Sequence, residues 1–200
     1  SHTSQLLRID PLGEFIWDIT IDNLIAKDIV VTEGGGLAVV GSGNNGVQVL
    51  RYDANGSFVS NFNYENQFLE FSPKIQLGIA NSLVLSYSYF NTQDEKYYVS
   101  SSGVADNGQT LWENNLEGLT SYYIFGEGLL VVNDGVIEKY TLDAELIWST
   151  DISTGQVYDI HEAVNGNIFI TGVKQTTLNT DATWLVKLAP SGMLLTDKAF

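Results

Sequence analysis

Apolar residues in this 200-residue chain come in short runs bounded by turn residues. The clearest are Asp28–Thr32, Leu37–Val40, Val47–Tyr52, Leu83–Ser88, Leu129–Val132, Val136–Tyr140, Ile168–Thr171 and Trp184–Leu188. None carries an apolar stripe at helical period over three turns, so the pattern predicts strands throughout. Valine, isoleucine, threonine and aromatic residues dominate the runs, and these suit a pleated, half-buried surface.

A ten-residue phrase recurs along this pattern. It reads RIDPLGEFIW at Arg8–Trp17, RYDANGSFVS at Arg51–Ser60, GVADNGQTLW at Gly103–Trp112, KYTLDAELIW at Lys139–Trp148 and KLAPSGMLLT at Lys187–Thr196. The sixth position is glycine except for Ala144, and three copies end in tryptophan. Each copy predicts a strand, a tight turn and a second strand. Ala144 then requires either a different turn or a strained one, because the turn asks for positive φ.

Copies begin at residues 8, 51, 103, 139 and 187, so the spacings are 43, 52, 36 and 48 residues. Periods of this length built from short strands predict propeller blades. The expected fold is an all-β β-propeller with four complete four-stranded blades plus a half blade. Its repeat units fall at residues 5–19 (the half blade), 20–62, 63–116, 117–151 and 152–200 of a single propeller region. In the last unit the strands are expected at Val157–Ala163, Asn167–Val173, Thr183–Leu188 and Met193–Lys198. A half blade implies a segment of a larger propeller, or a ring completed by a partner or by self-association.

The first two strands of each unit meet at Gly34–Gly36, Asn81–Ser82, Gly126–Gly128 and Asn165–Gly166. The second-to-third connections vary: Gly41–Gly46, Ser88–Lys96, Asn133–Gly135 and Val173–Asp181. Strand direction alternates, so the tight turns share one rim and the variable connections share the other. The variable rim is where binding function is expected.

Charge narrows the partners. Twenty-four acidic and nine basic side chains give −15, which repels phosphate backbones and anionic membranes, so no nucleic acid partner is expected. No apolar run approaches the ~18 residues of a membrane helix, and no membrane insertion is expected. Cysteine is absent, which removes disulfides and thiolate metal sites.

Catalytic signals are sparse. His161 is the sole histidine away from the N-terminal tail, and His161–Glu162 does not extend to the two-histidine zinc motif. It is expected to be packed or hydrogen-bonded. Gly41-Ser42-Gly43 lacks the spacing of a nucleophile elbow. Asp94–Glu95, Asn133–Asp134 and Asn179–Asp181 cluster on the variable rim, but none forms the aspartate-rich loop that Ca²⁺ prefers. No cofactor is expected: solvated loops are the ordinary reading of these clusters, with a Ca²⁺ site as the lesser alternative. Asp28 and Asp159 occupy matching positions at the start of inner strands, where they would bond neighbouring backbone or line an axial channel.

Trp17, Trp112 and Trp148 share one repeat position and are expected to pack. Tyr89, Phe90, Asp94, Asn179, Asp181 and Trp184 are the candidate binding residues of the variable rim. Aromatics among asparagine and aspartate suit a sugar or a protein hot spot.

Asn165–Gly172 (NGNIFITG) followed by Leu185–Leu195 resembles the seven-bladed-propeller-like repeats of secreted and surface bacterial proteins, especially of the Bacteroidetes type. Leu6–Trp17 and Ile137–Trp148 match the second half of that pattern, and the second unit departs most. The strand-four tryptophans also give a looser resemblance to quinoprotein-type repeats, whose cofactor-docking motif is not matched. The resemblance implies a propeller in an extracellular or cell-surface setting, and it carries no active site. Three functions follow as expectations: a non-catalytic scaffold for protein partners, a carbohydrate-binding module, or the noncatalytic part of a larger secreted enzyme.

Overall fold

The computed structural model describes residues 2–43, 46–64, 70–124, 127–133, 135–153, 155–175 and 180–200. Asn179 and Asp134 lie outside the described residues. The fold is all-β and of the propeller class, built from sheets in which successive strands are neighbours. A two-stranded sheet pairs β1 (Thr3–Ile9) with β2 (Phe15–Asp22). Four-stranded antiparallel sheets follow. The first is β3 (Leu24–Val31), β4 (Leu37–Gly43), β5 (Gly46–Tyr52) and β6 (Phe58–Tyr64). The second is β7 (Glu70–Leu77), β8 (Leu83–Asn91), β9 (Lys96–Val104) and β10 (Thr110–Glu117). The third is β11 (Thr120–Ile124), β12 (Gly128–Asn133), β13 (Val136–Tyr140) and β14 (Leu146–Asp151). The last is β15 (Gln156–Glu162), β16 (Ile168–Gln175), β17 (Asp181–Leu188) and β18 (Leu194–Ala199). Among the described residues, no helix is long and apolar enough to cross a membrane.

Two compact units emerge: Ser1–Lys96 with Ser100–Glu113, and Tyr97–Val99 with Asn114–Phe200. In the first, Ala38, Val40, Val47 and Val49 pack with Ile75, Leu83 and Leu85. In the second, Leu130, Val132 and Ile137 pack with Ile160, Ile168, Ile170, Trp184, Val186 and Leu188. These are alternate residues of adjacent strands, as a period of two demands.

The repeated phrase makes one turn five times. Its third residue accepts from the sixth and donates to the seventh: Gly13 N to Asp10 O and Asp10 N to Glu14 O, and likewise at Asp53, Ala105, Thr141 and Ala189. Four of the hairpins shift register at the preceding strand end, at Arg8/Ile9, Arg51/Tyr52, Lys139/Tyr140 and Lys187/Leu188. The sixth residue sits at φ 87, 83, 84, 62 and 84° in Gly13, Gly56, Gly108, Ala144 and Gly192. Ala144 therefore keeps the common turn and accepts a left-handed backbone, at about 1–2 kcal/mol.

The phrase also ties one sheet to the next, a role its sequence does not advertise. Arg8 Nη1 donates to Ala54 O, and Arg51 Nη1 donates to Asp106 O at 2.9 Å. Ala54 and Asp106 are both the fourth residue of the following copy of the phrase. The turn glycine meanwhile faces an aromatic ring of the preceding sheet. A Cβ on Gly56 would stand 3.0 Å from Trp17, one on Gly108 2.2 Å from Phe62, and one on Gly192 2.6 Å from Trp148. Trp17 and Trp148 are thus packing residues. Where the phrase ends in Ser60, Phe62 two residues on supplies the ring instead.

Candidate functional site

The variable connections contain less loop than the sequence pattern suggests. β8 continues to Asn91 and β9 starts at Lys96, leaving a four-residue turn. Pairing of β16 with β17 likewise runs out to Val173↔Thr183, Lys174↔Ala182 and Gln175↔Asp181. The extra residues lengthen hairpins because alternating and β-branched sequence continues to pair past the end of the core.

Tyr89 and Phe90 consequently lie on strand β8, half-buried, while Asp94 is exposed in the turn beyond. Burial, with the nearby Tyr87, Asp94 and Glu113, raises the Tyr89 hydroxyl above its ordinary value. Tyr64 in the same unit is pushed up to about 12 by burial, with Tyr87 and Glu113 adding to it. The structure therefore brings Tyr89 and Asp94 into one electrostatic neighbourhood.

Trp184 corrects the expectation of a rim platform. It is 0% exposed in the core of the second unit, and its Nε1 donates to Asp197 Oδ1 at 2.8 Å. Ala182, Trp184, Val186 and Leu188 form the buried face of β17, so the ring points inward by strand alternation. It cannot touch a ligand from there.

Asp28 and Asp159 stand inside their strands rather than at the start. Each follows a register shift, at Ala26/Asp28 and Val157/Asp159. Asp28 Oδ2 accepts from Ile75 N of β7 at 3.0 Å, and its Oδ1 accepts from Ile29 N at 2.9 Å. That is a backbone tie between neighbouring inner strands. Asp159 is exposed on β15 opposite Thr171. His161 is also exposed on β15, which replaces the packed position expected for it.

A polar cluster at the β14–β15 connection escaped the sequence. Asp197 Oδ2 accepts from Ser153 N at 2.8 Å, and Asp197 Oδ1 accepts from Ser153 Oγ at 2.7 Å. Lys174 Nζ donates to Ser153 Oγ at 2.8 Å and to Asp197 Oδ1 at 3.3 Å. Burial pushes the Asp197 carboxyl up, but the Ser153 hydroxyl, the Trp184 indole, the Ser153 amide and Lys174 outweigh it and hold it at about 2. So weak a base does not take the serine proton at neutral pH. The cluster fixes the connection onto the sheet.

Above this cluster is an open cleft of about 650 Å³, lined by Leu119, Gly155, Gln156, Tyr158, Val173, Lys174, Gln175 and Asp181. All belong to the second unit, at the end of the sheet where β15 starts, β16 ends and β17 starts. Tyr158 is the residue skipped between Val157↔Gly172 and Asp159↔Thr171, and the bulge leaves its side chain 58% exposed. Bulges re-aim side chains in this way. Of the predicted residues that are described, Asp181 alone lines this cleft. Gln156 and Lys174 were missed as well as Tyr158, the last because a bulge is invisible to a period-two reading. Among the described residues, no group of three or more His, Cys, Asp or Glu is placed to hold a metal.

With this geometry the class of protein is an all-β chain of propeller type. No family model and no curated protein matches the sequence. Among solved structures, the exo-β-1,3-galactanase of Phanerochaete chrysosporium with β-1,3-galactotriose is similar at TM-score 0.56 and 12% identity, covering 98% of this chain and 54% of the galactanase. BBS1N in complex with ARL6DN is similar at TM-score 0.52 and 12% identity, covering 94% and 70%. The endo-arabinase of Bacteroides thetaiotaomicron gives TM-score 0.46 at 11% identity, covering 86% and 60%. Such likeness establishes the fold alone. The chain spans about half the length of the galactanase.

Proposed function

We propose that this chain is a non-catalytic β-propeller scaffold that binds a partner through its variable rim, within a secreted or cell-surface bacterial protein. The observation that carries the reading is a division of labour among residues. Those the repeat preserves, such as Arg8, Arg51, Trp17 and Trp148, are occupied in ties between sheets. The cleft of about 650 Å³ is built from residues where the repeat diverges. Its volume lies in the ordinary range for ligand sites. The Ser153–Asp197–Lys174 cluster beneath it is arranged for rigidity, which is what a binding surface needs. The likeness of Asn165–Gly172 and Leu185–Leu195 to secreted bacterial repeats supports the location.

Two measurements test this together. Amide chemical-shift mapping against a mixed library of fragments, short peptides and sugars is expected to place hits at Gln156, Lys174, Gln175 and Asp181. A panel of chromogenic esters and glycosides is expected to show no turnover. Hits confined to the turns at Asp53–Ser57 and Thr141–Glu145, or turnover abolished by Ser153→Ala, would overturn the proposal.

A further inference from the structure

The cleft of the second unit has a chemistry specific enough to name its ligand class. Its apolar lining is Tyr158 at 58% exposure, Leu119 at 42%, and Val173. The same lining carries two carboxamides, Gln156 and Gln175, the exposed carboxylate of Asp181 and the ammonium of Lys174. Carboxamides both donate and accept, so they meet a hydroxyl whichever way its proton points. A carboxylate only accepts and an ammonium only donates, and each can meet a hydroxyl. Few ligands present one flat C–H face and a dense edge of hydroxyls; a pyranose ring does both. The aromatic wall takes the C–H face and the polar groups take the edge.

Charge excludes the acidic members of that class. Lys174 is already paired with Asp197 at 3.3 Å, so its charge is offset from below. Asp181 then leaves the cleft with an uncompensated negative charge in a chain of −15. Sulfated or uronic sugars, phosphates and acidic peptides are repelled. One of the polar groups is also set in place before binding. Lys174 is held by Ser153 and Asp197, and Asp197 is held by the Trp184 indole. Ordering long side chains in advance lowers the entropy cost of recognition.

We infer that this cleft binds a neutral saccharide, with Tyr158 as the stacking platform and Gln156, Gln175, Asp181 and Lys174 reading the hydroxyls. The inference rests on the variable rim being the binding surface and adds the ligand class. It moves the sugar platform from Trp184, which is buried, to Tyr158, which the bulge exposes.

The experiment is a titration of the full chain with neutral oligosaccharides (gluco-, galacto-, manno- and xylo-configured). Sulfated and uronic counterparts and a peptide library run in parallel. Two-dimensional NMR follows the Trp184 indole N–H, assigned by its loss in Trp184→Phe, and the Gln156 and Gln175 side-chain amides. At least one neutral series should shift these signals, with Tyr158→Ala weakening binding about tenfold or more and Tyr158→Trp retaining it. Anionic sugars should shift nothing in the wild type. If a peptide but no saccharide moves the cleft signals, the ligand class is wrong and the rim reading stands. If neither moves them, both fall. Equal saccharide affinity in Tyr158→Ala also overturns the inference.

Discussion

Gly108→Ala and Gly13→Ala form a matched pair within the first unit. Both residues occupy the sixth position of the repeated phrase, at φ 84 and 87°. Both substitutions therefore meet the same left-handed backbone, worth about 1–2 kcal/mol, partly offset by about 0.4–1 kcal/mol of lost unfolded-state entropy. The pair differs in what the new methyl would touch. At Gly13 nothing lies within 4 Å, whereas at Gly108 a Cβ would fall 2.2 Å from Phe62 Cε1 and 2.3 Å from Cδ1. The Phe62 ring is packed against the Val40–Ile75–Leu85 cluster and cannot swing away freely. Overpacking of this kind costs about 1–3 kcal/mol beyond the backbone strain. Gly13→Ala should then cost about 1 kcal/mol and Gly108→Ala about 2–4 kcal/mol, read from urea unfolding at unchanged m-value. In a Phe62→Ala background the extra cost of Gly108→Ala should vanish, since the cycle isolates the contact. Equal destabilisation by the two alanines, or an undiminished cost in Phe62→Ala, would refute the view that the turn glycine exists to seat the neighbouring sheet's ring.

Three further outcomes follow from the same geometry. Ala144→Gly removes a left-handed alanine at φ 62° and should stabilise the chain by about 0.5–1 kcal/mol in the same unfolding assay. Asp197 is held at about 2 against an ordinary 3.8, so its contribution is complete above about pH 4 and is lost as pH falls towards 2. The drop in melting temperature between pH 4 and pH 2 should accordingly be smaller in Asp197→Asn, which starts less stable at neutral pH. Arg51→Ala removes the donor to Asp106 O and the ion pair at 2.7 Å to a largely exposed carboxylate, and should cost about 1 kcal/mol that 1 M salt does not fully abolish.

The sheets were legible because their signal is local. Each phrase carries its own strand, turn and strand within ten residues, and five copies reinforce one another. Asp28 was legible as a backbone acceptor for the same reason, although the strand around it begins four residues earlier than its apolar run suggests. The site was much less legible. Trp184 was misread although its own alternation, Ala182–Trp184–Val186–Leu188, pointed it inward; the neighbouring connection drew attention to the rim. Tyr158 was hidden because a bulge inverts the face that a period of two assigns. Asp197, Lys174 and Ser153 meet across separations of 23 and 44 residues, and no spacing rule connects them. Phe62 replaces a tryptophan at a shifted position, so alignment of the phrase alone passes over it.

The central claim is that binding belongs to the rim where the repeat diverges. Calorimetric titration of three proteins tests it most directly: the wild type, Tyr158→Ala at the cleft, and Ser191→Ala in the exposed turn at the opposite end of the same sheet. With the neutral oligosaccharide that shifts the cleft signals, wild type and Ser191→Ala should give the same heat and affinity, and Tyr158→Ala should bind about tenfold more weakly. An affinity that falls in Ser191→Ala and survives in Tyr158→Ala would contradict it.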